Sequence, residues 1–356
     1  MDVYLAQLVD ELKLLWEGIQ IEDVSRRTGQ RGMNLRGILM WTMHDFPGYG
    51  ECSGLATSGY YACPLCGPAI NARYSQSLKK MVYQGHKRFL PDNHPLREGF
   101  LGRSPKPWSV SSQHNAWESN AGSFGMNILS LFHALPYWKK LLTNHLLDPM
   151  HIFKNVGQIL WEHLVGAWDN KKAQDDLQEA DVLHMQMYWP IIGEGNAVTL
   201  PNVPWILTQQ EEKRVKHIIA NFRTPLGHMH CLKGVFTKDN KLTGLKTHDW
   251  HKFLQYILPT AIEGCSAHNI RMVIYKISRL VRWISQKEIK ISSIEENKIN
   301  VVEAVCMLEK HFPTSILTIQ VHLMVHLVDE VAVAGVIHSR WMFFLERFMK
   351  TLKSFV

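Results

Sequence analysis

The chain has 356 residues and a formal net charge of +7; 46% of its residues are hydrophobic and 20% are charged. This composition excludes a disordered chain and allows a sizeable buried core, and the length suggests about two domains. The positive charge favours an anionic partner, most commonly nucleic acid, although the basic residues are dispersed and a merely basic globular protein explains them equally well.

The N-terminus and the cysteine content indicate a reducing compartment, cytosol or nucleus. The first twenty residues carry four acids and no basic segment, unlike a signal peptide. No run of about 18 apolar residues occurs, so no transmembrane helix and no membrane partner are expected. Six cysteines in a chain of this length do not suggest a disulfide framework.

The N-terminal part of the chain predicts a helix, a strand and then irregular structure. Apolar side chains recur at helical spacing over residues 3–17. The short apolar segment Arg36–Phe46 is interpreted as a buried strand that ends at Asp45, because the turn sequence PGYG follows it. Residues 47–125 are rich in Gly, Ser, Pro and aromatic residues. They predict a long irregular insertion, and such insertions usually need something to hold them, such as a metal ion.

Cys63 and Cys66 form a C-x2-C pair inside this insertion, and His86 and His94 follow. Two thiolates at this spacing can reach one ion from a tight turn, and Zn²⁺ takes four ligands. The four residues are therefore predicted zinc ligands, although the spacing is looser than in a standard zinc finger. Cys52 is an alternative fourth ligand. Buried or free thiols and a redox pair are the other interpretations, and the redox pair lacks a surrounding βαβ pattern.

From about residue 128 the pattern becomes helical. Pro149 opens a new helix, with Asp148 and His151 at its start. These two side chains can point the same way as a site, or Asp148 can be an ordinary N-cap beside a surface histidine. Residues 196–206 contain two prolines and are interpreted as a linker, and residues 226–246 are rich in glycine.

Later helices are predicted by periodicity and capping signals. Thr208 and Glu211 fit a capping box for a helix over 209–221. Further helices are expected near 270–284, 300–311, 315–332 and 340–353. His322 and His326 have metal-ligand spacing on one of these, but buried core histidines are favoured, since Leu323 stands where a zinc protease has its Glu. Glu346 flanks an aromatic helix face, either as the ion-pair partner of Lys350 or as a site residue.

Seven stretches, in chain order, are LVDELKLLWEGI, ILMWTMHDFPGYGECSGLATSGYYACPLC, YQGHKRFLPDNHPLR, LPYWKKLLTNHLLDPMHIFKNV, LTQQEEK, KLTGLKTHDWHKFLQYILP and HFPTSILTIQVHLMVHLVDEVAVAGVIHSRWMFFLERFMKTLK. Together they resemble the En/Spm-like (CACTA) DNA transposases of plants. From about residue 258 the chain resembles the domain of unknown function that is commonly fused behind those enzymes.

The resemblance implies an RNase H-like core that cuts and rejoins DNA with two Asp and one Glu. Such carboxylates hold two Mg²⁺ or Mn²⁺ ions that activate the attacking oxygen and stabilise the leaving one. The acidic candidates implied here are Asp45, Asp148 and Glu346, with His151 in support. One of the two aspartates is a metal ligand and the other is structural, and the resemblance leaves open which is which. The resemblance also strengthens the zinc interpretation, because the Cys63–His94 block falls where the family has its Cys–Cys–His stretch.

The expected fold is mixed α+β. Residues 1–200 are expected to form a partial RNase H-like transposase core with a zinc-knuckle-type insertion at about 47–125. Residues 201–257 are expected to connect it to a mainly α-helical domain at 258–356. The expected localisation is the nucleus, the expected partner is DNA, and an oligomer is compatible with the sequence.

The sequence also departs from the family. Its first catalytic Asp lies in an Asp-Gly-Phe-Asn stretch upstream of the region where this chain starts, and the family continues beyond Val356. The chain is therefore expected to be truncated at both ends and catalytically inactive. A domesticated zinc-containing DNA- or protein-interaction module is the main alternative, and a metal-dependent hydrolase that uses the C-terminal histidines is a third.

Overall fold

The computed structural model describes residues 2–22, 32–100, 102, 104–120, 123–193, 197–225, 229, 232–237 and 242–355. The glycine-rich stretch predicted at 226–246 therefore lies partly outside the described residues, and Val356 lies wholly outside them. Within the described ranges the helices are α1 Asp2–Glu17, α2 Phe46–Ser53, α3 Val110–Asn120, α4 Pro149–Leu164, α5 Asn170–Glu179, α6 Gln209–Asn221, α7 Thr247–Lys252, α8 Leu258–Ala261, α9 His268–Ile284, α10 Ile294–His311, α11 Ile319–Ala334 and α12 Phe343–Lys353. A π-helical segment, Phe253–Ile257, joins α7 to α8.

The strands of the described part pair two by two. The antiparallel pairs are β1 Ile19–Glu22 with β2 Gly32–Leu35, β4 Ala72–Ser75 with β5 Lys80–Tyr83, and β7 Ile191–Ile192 with β8 Val198–Thr199. The parallel pair is β3 Thr42–His44 with β6 His145–Leu147, in the register Thr42 to His145 and His44 to Leu147. The predicted mixed fold is thus observed, but these two-stranded sheets do not confirm the RNase H-like core.

Local sequence signals set several helix ends. Thr208 and Glu211 form the predicted capping box at the start of α6. Asp148 caps α4 by accepting hydrogen bonds from the backbone N–H groups of Met150 and His151, and Pro149 occupies the first turn, where its missing N–H costs nothing. The predicted strand Arg36–Phe46 is shorter than expected: only Thr42–His44 is paired, and it is half-buried.

The main hydrophobic core packs α4, α9, α10 and α11 together and includes parts of the 47–125 insertion. That insertion is more regular than predicted, since it holds α2, the β4–β5 hairpin and α3. Helix α11 is buried along almost its whole length. Apart from the exposed Ala332 and Val333 near its end, its hydrophobic surface faces protein, as expected of a helix at the centre of a fold.

The β3–β6 pair positions two of the predicted acids. Because the strands are parallel and in register, Asp45 and Asp148 lie at the same end of the strand pair, each directly after the last residue of its strand. Each of them then caps a helix, α2 and α4 respectively. This end of the strand pair is a place where polar groups from distant parts of the chain converge.

Candidate functional site

Cys63 and Cys66 lie on a buried turn between α2 and β4. The backbone N–H of Cys66 lies 3.4 Å from Cys63 Sγ, and Gly67 N donates to Cys63 O at 2.9 Å. Gly67 has a φ of +52°, and a Cβ there would collide with the ring of Trp108. The turn therefore requires glycine at this position, and it directs both sulfurs into the protein interior.

His322 and His326 meet these sulfurs from α11. The Nε2 atoms of the two histidines are 3.3 Å apart and lie 3.4 and 3.2 Å from Cys66 Sγ. The four ligand atoms of Cys63, Cys66, His322 and His326 all lie within 4.8 Å of one another, and all four residues are buried. Tetrahedral Zn–N bonds of about 2.05 Å and Zn–S bonds of 2.3 Å place two nitrogens about 3.3 Å apart and a nitrogen and a sulfur about 3.5 Å apart. The observed spacings fit that geometry.

A buried relay fixes the orientation of His322. Glu309 Oε1, on α10, lies 2.6 Å from His86 Nδ1, and His86 Nε2 lies 3.0 Å from His322 Nδ1. Burial opposes ionisation of Glu309, but the neighbouring His86 lowers its pKa, so the carboxylate accepts a hydrogen bond from His86 Nδ1–H. His86 Nε2 then accepts from His322 Nδ1, which leaves a lone pair on His322 Nε2 facing the two sulfurs.

The pKa values of the two cysteines depend on each other and on the nearby histidines. Burial alone would raise the pKa of Cys63, but its hydrogen bond with Cys66 and the neighbouring His326 and His322 hold it well below its usual range. The pKa of Cys66 is raised, first because of that same hydrogen bond with Cys63. Two adjacent buried thiols thus share one negative charge, and a second thiolate requires a cation between them.

The predicted zinc ligands are therefore only partly brought together. Cys63 and Cys66 converge, but His322 and His326 complete the group instead of His86 and His94. His86 lies directly behind His322, and His94 Nε2 lies 3.1 Å from Glu303 on α10. Cys52, the alternative ligand, lies 3.8 Å from His44 Nδ1 and outside the group. The i, i+4 spacing of His322 and His326 on α11 was the only sequence signal for these two residues. That signal is weak, because His–X₃–His also occurs in ordinary helix cores.

A second cluster forms around His151 at this end of the β3–β6 pair. Asp148 is buried, and its Oδ2 lies 2.5 Å from His151 Nδ1. His151 Nε2 lies 3.2 Å from Oε1 of Glu346, which α12 brings to the start of α4. The backbone N–H of Met342, just before α12, also points to Asp148 Oδ1 at 3.4 Å. Asp148, His151 and Glu346 are thus assembled from residues about 200 apart in the sequence.

Asp45 belongs to the same neighbourhood. It caps α2 through Gly48 N at 3.0 Å, and its charge acts on His151. The pKa of His151 is raised by the hydrogen bond to Asp148 and, against partial burial, by the charges of Asp148, Glu346 and Asp45. The charges of three carboxylates therefore act on the His151 ring and favour a cation there.

Helix α11 connects the two clusters. Glu330 follows His326 by four residues and accepts a hydrogen bond from Leu147 N at 2.9 Å, immediately before Asp148. It also pairs with Arg340 at 3.0 Å, and both side chains are buried. Burial raises the pKa of Glu330 to about 7, although the Arg340 charge opposes the shift. One helix thus holds two members of the Cys/His group and the strand end that carries Asp148.

Two family comparisons bear on these clusters. Residues 1–109 match the transposase family tnp2, and residues 284–356 match a domain of unknown function, DUF4218. Residues 1–109 are thus similar to tnp2 transposases, and we call them the tnp2-type region. The resemblance to En/Spm-like transposases with this C-terminal domain is thereby confirmed. No curated protein and no solved structure matches the chain.

The Cys/His group joins the tnp2-type region to the domain of unknown function. The cluster around His151 joins that domain to Asp148 and His151, which lie between the two matched regions, and Asp45 of the tnp2-type region acts on it through its charge. Cys63, Cys66 and Asp45 lie within residues 1–109, whereas His322, His326 and Glu346 lie within 284–356. In the described residues no single helix has the length and composition to cross a membrane; α11 and α12 pass such a test only as a bent pair, and α11 is buried in the core.

Proposed function

We propose that the chain is a transposase-derived, DNA-binding nuclear protein in which a structural zinc centre joins the tnp2-type region to the domain of unknown function. The observation that supports this most strongly is that the two regions meet at the Cys/His group, where Cys63 and Cys66 lie beside His322 and His326. The C-terminal domain then completes the core instead of forming a separate unit.

The buried group has the properties of a structural zinc site. Four protein ligands fill a tetrahedral site and leave no open position for substrate or water. A bound Zn²⁺ supplies the positive charge that lets both thiols ionise, and it links the Cys63–Cys66 turn to α11. The His86–Glu309 relay holds His322 in the tautomer that coordinates through Nε2.

The acid cluster has the composition of a phosphoryl-transfer centre. Asp45, Asp148 and Glu346 are the acids that would hold Mg²⁺ or Mn²⁺, because these ions prefer oxygen ligands. They would also face the DNA phosphodiester. In this structure His151 hydrogen-bonds Asp148 and faces Glu346, and its raised pKa favours a positive charge at the place where a divalent ion would supply one. This arrangement supports DNA binding without strand cutting.

Salt-dependent binding of a fluorescent duplex oligonucleotide tests the DNA assignment. We expect binding near 50 mM salt and a steep loss by 200 mM, because phosphate contacts release counterions. Absence of binding at 50 mM salt would contradict the assignment. Cleavage with Mg²⁺ or Mn²⁺ should be undetectable; cutting that Glu346→Gln abolishes would show that the cluster is active.

A zinc-containing protein-interaction module is the second candidate. It is favoured by α12, whose side chains Phe344 and Phe348 are 71% and 52% exposed. Exposed aromatic residues on one helix are typical of a protein-binding surface. A protein that binds no DNA at low salt but retains one zinc per chain would support this candidate over the first.

A further inference from the structure

A cavity of about 480 Å³ lies beside the acid cluster, and its lining is aromatic and cationic. It is enclosed by α7, the π-helical segment, the end of α9 and the start of α12. Its volume is within the usual range of 300–1,000 Å³ for ligand sites. Helix α12 reaches from the cavity to the cluster, because Phe343 lines the cavity and Glu346 lies one helical turn further, about 5 Å along the axis.

The cavity offers ring surfaces to a flat ligand. Trp341 and Phe343 are half-buried, with ring centroids 4.6 Å apart in an edge-to-face arrangement. Tyr256, on the π-helical segment, is 45% exposed. The buried His251 packs edge-on against Trp341 at 6.0 Å, and burial lowers its pKa to about 3, so it is a neutral part of the wall.

The charge of the cavity suits an anion. Lys252 and Arg282 are in the lining, and none of the described lining residues is acidic. Lys252 Nζ lies 5.8 Å from the centre of the Tyr256 ring, so one cation and one aromatic face are close enough to act on the same ligand. Aromatic rings interleaved with cations are the combination that binds single-stranded nucleic acid, because bases stack on the rings and phosphates pair with the cations.

We propose that this cavity binds an unpaired nucleotide of single-stranded DNA next to the phosphodiester that faces Asp148 and Glu346. The proposal rests on the DNA-binding function proposed above and adds a subsite to it. A duplex would not use the cavity, since its base faces are already stacked and only its phosphates are available outside.

Fluorescence anisotropy with labelled oligothymidine tests the charges. Lys252→Gln combined with Arg282→Gln should weaken binding of the single strand about tenfold or more and change duplex binding less than threefold. The matched control, Lys171→Gln with Lys172→Gln, removes two exposed positive charges from α5 and should change either affinity less than twofold. Equal losses for single strand, duplex and heparin would overturn the proposal, because they would show a general polyanion surface.

A second pair of variants tests stacking. Tyr256→Ala should weaken oligothymidine binding about fivefold or more, whereas Tyr74→Ala, which removes a similarly exposed ring from β4, should leave it unchanged. Photocrosslinking of the unmodified protein to 5-iodouracil DNA should label the peptide of Tyr256 or that of Trp341. Crosslinks only elsewhere, or unchanged affinity in the Tyr256 variant while duplex DNA still binds, would overturn the subsite and leave the DNA-binding function intact.

Discussion

The Cys/His group and the acid cluster are both tied to the buried helix α11, the first through His322 and His326 and the second through Glu330 and Leu147, yet they are built for different tasks. Cys63, Cys66, His322 and His326 are buried on every side. In the acid cluster, Glu346 is 44% exposed at its side chain and His151 27%, while Asp148 is buried. A closed set of soft ligands stabilises a fold, whereas a partly open set of carboxylates can admit a phosphate and a hard cation.

Loss of the zinc ligands should have the largest effect. Purified protein is expected to contain one zinc per chain, and Cys63→Ser should remove it and lower the free energy of unfolding by about 5 kcal/mol or more, because metal binding contributes directly to folding. Cys306→Ser, at a buried cysteine of α10 outside the group, is the control and should keep the metal. Elemental analysis and urea denaturation measure both. Metal-free protein with unchanged stability would contradict the structural role.

The link between the two sites is tested next. Glu330→Ala should lower the free energy of unfolding by about 3–5 kcal/mol, because it leaves Arg340 buried without its partner and Leu147 N without an acceptor. Glu330→Gln keeps an acceptor for Leu147 and should cost less. Urea denaturation at pH 8, where the unfolded carboxyl is fully ionised, checks the order. Equal costs for the two variants would show that the Leu147 contact contributes little.

Protonation distinguishes buried from open imidazoles on α4. His163 Nδ1 donates to Ile159 O and Nε2 accepts from Ser315 Oγ, each at 2.7 Å, and burial lowers the pKa of His163 to about 4. The pKa of His163 in the unfolded chain is near 6.5. As the pH falls from about 6.5 to about 4, His163 is therefore protonated in the unfolded state while it stays mostly neutral in the folded state. This residue should therefore reduce stability by up to about 3 kcal/mol across that window and contribute nothing further below it.

The measurement compares the parent protein with His163→Gln between pH 5 and 7, where loss of zinc affects both in the same way. The variant should show a shallower decline of stability with acid, by up to about 1.4 kcal/mol per pH unit. His151 should behave oppositely, because its hydrogen bond with Asp148 raises its pKa, and an NMR titration should find this pKa above that of His163. Identical pH slopes for parent and variant would mean that His163 titrates normally.

The smallest effect is expected for the relay behind the metal ligands. His86→Gln and Glu309→Gln should each weaken zinc binding by about 10- to 100-fold while leaving one zinc per chain at saturation. His94→Gln is the matched control, because His94 contacts Glu303 and not the Cys/His group. Competition with a chelator measures the affinities. A larger loss for His94→Gln than for His86→Gln would restore His94 as a ligand.

The sequence alone determined the local structure and the family. Helical spacing located α1 and α9, the Thr208–Glu211 box started α6, and Pro149 after Asp148 started α4. These signals act within one or two turns, where neighbouring side chains and backbone groups decide the outcome. The C-x2-C pair converged for the same reason, since a tight turn brings two sulfurs together without help from the rest of the chain.

Only the tertiary structure decided which residues complete each cluster. Cys66 meets His322 across 256 positions, and Asp148 meets the chain before α12 across 194. Such contacts depend on α11 packing between the insertion and α4, and no spacing pattern in the sequence encodes that packing. His86 and His94 are nearer in sequence to the cysteines, but α11 lies beside the two sulfurs in the folded chain. It lies there because burial of its largely apolar surface in the core stabilises the fold.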